Sequence, residues 1–212
     1  MAHHDEDDAA LIALARQLAD AYGEARTTED QDFACDEIGD FLADHREHAP
    51  GEALLALLDL PFTVATFPLV DRVTMTLAER GWEVVELLLR ATLGEVYDPD
   101  GPAAERAAEV LDAMDPVALS FSLGDLLAGG GSDALKGAAV DRLVALGARA
   151  EPALAGVVDD PAARPWALAA LAQLRFACEH QGSPPGDDDA PPALPPWDDD
   201  GTGGRRREDA PP

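Results

Sequence analysis

His45-Arg46-Glu47-His48 is the segment with the clearest chemical potential, because two imidazoles three residues apart on a helix share one face and can reach one ion. Two ligands do not complete a coordination shell, and Cys35 and Glu37 stand turns away on the same segment. A His near a helix C-terminus also complements the macrodipole, which gives the pair a purely structural use. His3 and His4 lie near a chain end, where fraying works against a ligand pair. The expectation is therefore no metal site and no cofactor.

Nucleophilic catalysis needs a Ser or Cys with a base and an orienting group beside it. Ser120, Ser122, Cys35 and Cys178 are available, but none stands in a G-x-S-x-G elbow or a Cys-His signature. Gly129, Gly130 and Gly131 with Ser132 have the composition of a phosphate cradle without its spacing, and Lys136 is misplaced for one, so a loop between helices is expected. Carboxylates are so abundant that any pair is weak evidence for acid and base roles. Asp159-Asp160 reads as a solvated turn, and no D-x-D-x-D-G calcium loop is present. No catalytic residue is assigned.

Three tryptophans are the candidates for partner binding. Trp82 and Trp166 each open a helical segment, where an aromatic either packs a seam or lines a groove. Trp197, in Pro195-Pro196-Trp197-Asp198, stands among prolines and acids as a short linear motif would.

The elements that must position these residues are helices. Leu11, Leu14, Leu18 and Tyr22 recur at three- and four-residue spacing, as do Phe33, Glu37 and Phe41 with Ile38 and Leu42. Thr28 and Gln31 make a capping box for this second helix. Pro50-Gly51 precedes a helix over 52–60, Pro61 and Pro68 frame the way into a helix over 69–80, and Trp82 opens one over 82–93. Further breaks fall at 98–102, Asp115-Pro116, 129–132, Gly147 and 159–161. No strand alternation accompanies this pattern, so the fold class is all-α.

Similar helices return after about thirty to forty residues, the range of two-helix repeats. Moving Val140, Leu143 and Leu146 forward 28 places reaches Leu168, Leu171 and Leu174, and moving Leu143 and Leu146 back 32 reaches Leu111 and Met114. Earlier steps reach Val73 and Leu77, then Ile38 and Leu42. Residues 138–174, AAVDRLVALGARAEPALAGVVDDPAARPWALAALAQL, resemble HEAT-like repeats: an Ala-rich helix ending in Leu-Gly, a short link, a Pro-Ala-Leu helix, then an acidic Pro turn. The resemblance is clearest over 133–180, looser over 66–128 and weak before 60. It implies a right-handed α-solenoid of about four to five helix pairs, a fold that commonly serves as a binding scaffold.

The domain reading is a disordered N-terminus over 1–8, a HEAT-like domain over 9–181, and a disordered acidic, Pro-rich tail over 182–212. In the tail, acidic runs at 187–189 and 198–200 alternate with prolines and leave too little apolar surface to offset ordering entropy. The chain has 212 residues, 42 acids, 15 Lys and Arg, and a net charge of -27; eight acids and three arginines give the tail -5, leaving -22 on residues 1–181. Alanine is about a fifth of the chain, which favours helix.

This charge would repel a phosphate backbone or an anionic membrane, and no apolar run approaches the roughly 20 residues of a spanning helix. The acidic start lacks the features of a secretory signal, and two distant cysteines suit reduced thiols, so a cytoplasmic location is expected. The expected function is a non-catalytic protein-interaction scaffold with a basic protein partner, selected by charge complementarity. Two alternatives stand beside it: a HEAT-like lyase or modifying protein acting on a chromophore or protein, and an acidic competitor of nucleic-acid-binding proteins.

Overall fold

The computed structural model describes residues 2–99 and 101–179. Among them are ten α-helices: α1 (Ala2–Glu24), α2 (Thr28–His45), α3 (Gly51–Leu57), α4 (Phe67–Arg80), α5 (Trp82–Thr92), α6 (Pro102–Ala113), α7 (Pro116–Ala128), α8 (Asp133–Leu146), α9 (Glu151–Val157) and α10 (Arg164–Glu179). A 3-10 turn, Gly147–Ala150, joins α8 to α9. The described residues contain no strand, so the chain is all-α over this range. No described helix is long and apolar enough to cross a membrane. Trp197 and the 182–212 tail lie outside the described residues.

The helix ends follow local chemistry. Thr27 caps α2: its backbone is extended, its hydroxyl oxygen accepts from the Asp30 N–H at 3.1 Å, and its O–H donates to Asp30 Oδ2 at 2.6 Å. The cap thus falls one residue before the Thr28 expected from sequence, because Thr28 already has helical backbone and Asp30, not Gln31, occupies the third position. Asp115 caps α7 through the N–H groups of Val117 and Ala118, with Pro116 at the first helical position. Ser132 caps α8 by accepting from the Leu135 N–H. Gly81 and Gly147 end α4 and α8 with φ of 59° and 64°, where a side chain would be strained, and each turns the chain into its next helical segment. Helix α1 begins at Ala2, within the 1–8 stretch expected to be disordered. Four consecutive acids, residues 5–8, stand near its N-terminus, where negative charge complements the macrodipole.

Helices two places apart lie side by side. α3 touches α1 and α5, and α7 touches α5 and α9; α4 touches α2 and α6, and α10 touches α8. Arg142 of α8 closes the remaining gap in the even-numbered row, pairing with Asp112 and donating to the Ala108 carbonyl of α6 at 3.4 Å. Arg80 of α4 likewise donates to the Arg46 carbonyl beyond α2 at 2.7 Å. Both backbone links span 34 residues. The chain crosses between an odd row and an even row, and the core fills the seam between them.

Burial defines the register of the even row. Leu42, Leu77, Leu111, Leu143 and Leu174 occupy corresponding positions on α2, α4, α6, α8 and α10, all buried, with separations of 35, 34, 32 and 31 residues by their numbering. Three of those steps agree closely with the sequence pattern. The last differs: a shift of 28 places Val140 on Leu168, yet Val140 is fully buried and Leu168 is half exposed. A shift of 31 instead carries Leu135, Ala139 and Leu143 onto Trp166, Ala170 and Leu174, buried residue onto buried residue. Ala139, Ala167 and Ala170 supply the small contacts that let neighbouring helix backbones approach.

Candidate interaction surface

Most residues with chemical potential serve the fold. α2 ends at His45, so His48 lies past the helix and the shared helical face expected for the two imidazoles does not form. The His45 carbonyl instead accepts from the N–H groups of His48 and Ala49, and its ring packs against Phe41 with centroids 5.3 Å apart. No group of three or more His, Cys, Asp or Glu among the described residues is placed to hold a metal. Ser120 and Ser122 donate their hydroxyl protons to the Val117 and Ala118 carbonyls within α7. Ser132 and Lys136, considered above as parts of a cradle, are a helix cap and a buried side chain. Cys35 is a half-buried free thiol, pushed up from its ordinary pKa by desolvation first and then by the charges of Asp32 and Asp36.

The tryptophans separate. Trp166 is only 3% exposed and belongs to the core, so a partner cannot reach it as a surface anchor. Its position on α10 aligns with the buried stripe Ala163, Ala167, Ala170 and Leu174. Trp82 is 75% exposed. On α5 the buried side is Val84, Val85, Leu88 and Leu89, and Trp82 shares the opposite side with Glu83, Glu86 and Arg90.

Trp82 borders a groove of about 340 Å³ between α5 and the C-terminal end of α7. Glu83, Glu86 and Asp125 bring three carboxylates to it, Val85 and Leu126 bring apolar surface, and Gly129, Gly130 and Gly131 form a rim. Among the described residues that line it there is no cationic side chain. An exposed indole beside carboxylates can take a cation in two ways at once, over the ring face and against the carboxylate oxygens. The glycine run considered as a phosphate cradle is thus the rim of a groove lined by carboxylates.

A second groove, about 420 Å³, lies between α4 and α6 under the loop that precedes α4. Phe62 and Phe67 meet edge to face at 5.6 Å, and the Arg106 guanidinium stands 5.8 Å from the Phe62 ring centroid. Arg106 is buried and committed to structure: Nη1 donates to the Leu58 carbonyl at 2.6 Å and to the Leu60 carbonyl. Burial pushes its pKa down, against the opposing charges of Glu109, Asp59 and Glu105. The loop is fastened by Thr66, whose hydroxyl donates to the Pro61 carbonyl at 2.6 Å, and by Thr63, whose hydroxyl lies 3.0 Å from the Tyr22 hydroxyl of α1.

Sequence reasoning did not single out Arg106, Thr63 or Thr66. For Arg106 a signal was present, since it falls on the apolar stripe with Ala103, Ala107 and Val110, where a cation needs buried acceptors. Comparison of the chain with models of known families, with characterised proteins and with solved structures finds no match. The HEAT-like resemblance therefore rests on the chain's own residues.

Proposed function

We propose that this protein is a non-catalytic scaffold that binds a basic segment of a protein partner in the Trp82 groove. In this reading the chain is a right-handed α-solenoid of about four to five HEAT-like pairs, drawn from the consecutive helices that pack together, α1–α2, α3–α4, α5–α6, α7–α8 and α9–α10. The recurrence of a buried leucine on every even-numbered helix supports the repeat assignment. The observation that carries the function is the groove itself: an exposed tryptophan with three carboxylates and, among the described lining residues, no cation. The net charge of -22 on residues 1–181, obtained above by removing the tail's -5 from -27, would draw a basic partner in before contact.

The test is binding of a fluorescein-labelled nona-arginine peptide to the full-length protein by anisotropy over a salt series. Affinity should fall as the screening length shortens from about 10 Å at 0.1 M to about 3 Å at 1 M. Trp82→Ala removes a cation–π contact of about 0.5–1 kcal/mol, roughly a two- to fivefold loss. The triple variant Glu83→Gln, Glu86→Gln, Asp125→Asn should weaken binding more than neutralising Asp36, Asp40 and Asp44 on α2, which changes net charge equally. Equal effects from the two triple variants, with none from Trp82→Ala, would mean diffuse attraction to an acidic body and would refute the groove.

A further inference from the structure

The fifteen cations of the chain are distributed unevenly: twelve stand singly along residues 1–181, no two closer than six positions, and the other three are Arg205, Arg206 and Arg207. Several single ones are already engaged, Arg80 with the Arg46 carbonyl, Arg90 with Glu95, Arg106 with Leu58 and Leu60, and Arg142 with Asp112. The arginine triplet is thus the one dense cationic segment that the protein carries, and the Trp82 groove is a site whose lining asks for such a segment.

We infer that Arg205, Arg206 and Arg207 occupy the Trp82 groove of their own chain and compete there with the basic partner. The inference rests on the binding role proposed above for that groove. Reach permits it. Helix α10 is described as far as Glu179, and a chain of 26 residues, the separation from there to Arg205, spans at most about 86 Å at roughly 3.3 Å per residue. A row of five helices at spacings of about 8–10 Å is about 40–50 Å long, which lies within that bound. Tethering also raises the effective concentration of the segment to the order of 1 mM, enough for a weak contact to be populated. The eight acids of residues 182–212, two of them the adjoining Glu208 and Asp209, oppose docking on an acidic body. They keep the contact weak, so that a partner with more cations displaces it.

The test compares the full-length protein with Arg205→Ser/Arg206→Ser/Arg207→Ser and with a control, Arg26→Ser/Arg149→Ser/Arg175→Ser. Each variant loses three of the fifteen cations, taking net charge from -27 to -30, and the three control arginines are exposed and outside the groove. The labelled nona-arginine peptide should bind the tail variant about two- to tenfold more tightly than the parent at 0.1 M salt, and the control variant less than twofold more tightly. The Trp82 indole N–H resonance should shift in the tail variant and stay in place in the control, at every protein concentration. Equal affinities for the two variants and an unmoved Trp82 resonance overturn the inference and leave the groove's binding role intact if Trp82→Ala still weakens the peptide. A shift that grows with protein concentration places the arginines in the groove of a second copy and overturns the intramolecular form. Failure of every form to bind the peptide removes the binding role and this inference together.

Discussion

Replacing Arg106 with Leu tests how the even row is tied to the odd one. The guanidinium of α6 donates to two carbonyls that follow α3, those of Leu58 and Leu60, and both of these residues are buried. The acceptors lie at a helix C-terminus, where a cation is also favoured by the macrodipole. Each hydrogen bond to a charged donor contributes about 1.5–3 kcal/mol, and the two carbonyls would be left without that donor in a buried setting. Part of this loss is returned, because the guanidinium no longer has to be desolvated, the same burial that lowers its pKa. The net expectation is a destabilisation of about 2–4 kcal/mol, or about 5–15 °C in Tm for a domain of this size. Arg106→Lys, which keeps the charge but not the planar fork, should fall between the two. The assay is thermal and urea unfolding followed by circular dichroism, with nona-arginine binding measured well below Tm. If Arg106→Leu melts within about 1 °C of the parent, those carbonyls do not depend on the guanidinium and the reasoning fails.

Two further outcomes follow from burial and charge. Leu143→Asp puts an unpaired carboxylate at a fully buried position of the even row and should cost about 3–5 kcal/mol, whereas Asp141→Asn, on the exposed side of the same helix, should stay within about 0.5 kcal/mol; equal melting shifts would contradict the assigned face. In a Cys178→Ser background, alkylation of Cys35 by iodoacetamide should have its pH midpoint above that of a free cysteine thiol measured alongside, because desolvation and the charges of Asp32 and Asp36 all disfavour the thiolate. Asp32→Asn/Asp36→Asn should lower that midpoint only part of the way, since desolvation is the larger cause; a midpoint at or below that of the free thiol in the parent would refute the environment described for this thiol.

The candidate site was legible in pieces. Periodicity alone would have sorted two of the tryptophans: Trp82 shares its side of α5 with Glu83, Glu86 and Arg90, while Trp166 falls on the alanine stripe of α10. Treating both simply as helix-opening aromatics concealed that difference. The Thr27 cap was hidden for another reason, since two adjacent threonines offer the same oxygen and only backbone conformation decides which residue is the first to leave the helix. The forward repeat step of 28 rather than 31 came from matching leucines to leucines, when the buried positions of α10 are filled largely by Trp166 and alanines.

The sequence by itself determined the helices, their breaks and most of the buried register, because helix propensity, capping and apolar periodicity act within one or two turns of the chain. Tertiary structure decided which distant segments share a surface. Nothing local to Trp82 specifies that Asp125 and the Gly129, Gly130 and Gly131 rim, more than forty residues away, stand across from it. Nothing local to Arg106 names the carbonyls of Leu58 and Leu60 as its acceptors. Those pairings arise when α5 settles against α7 and α6 against α3 and α5, and the rotation of each helix about its axis is fixed by the packing of the seam between the rows.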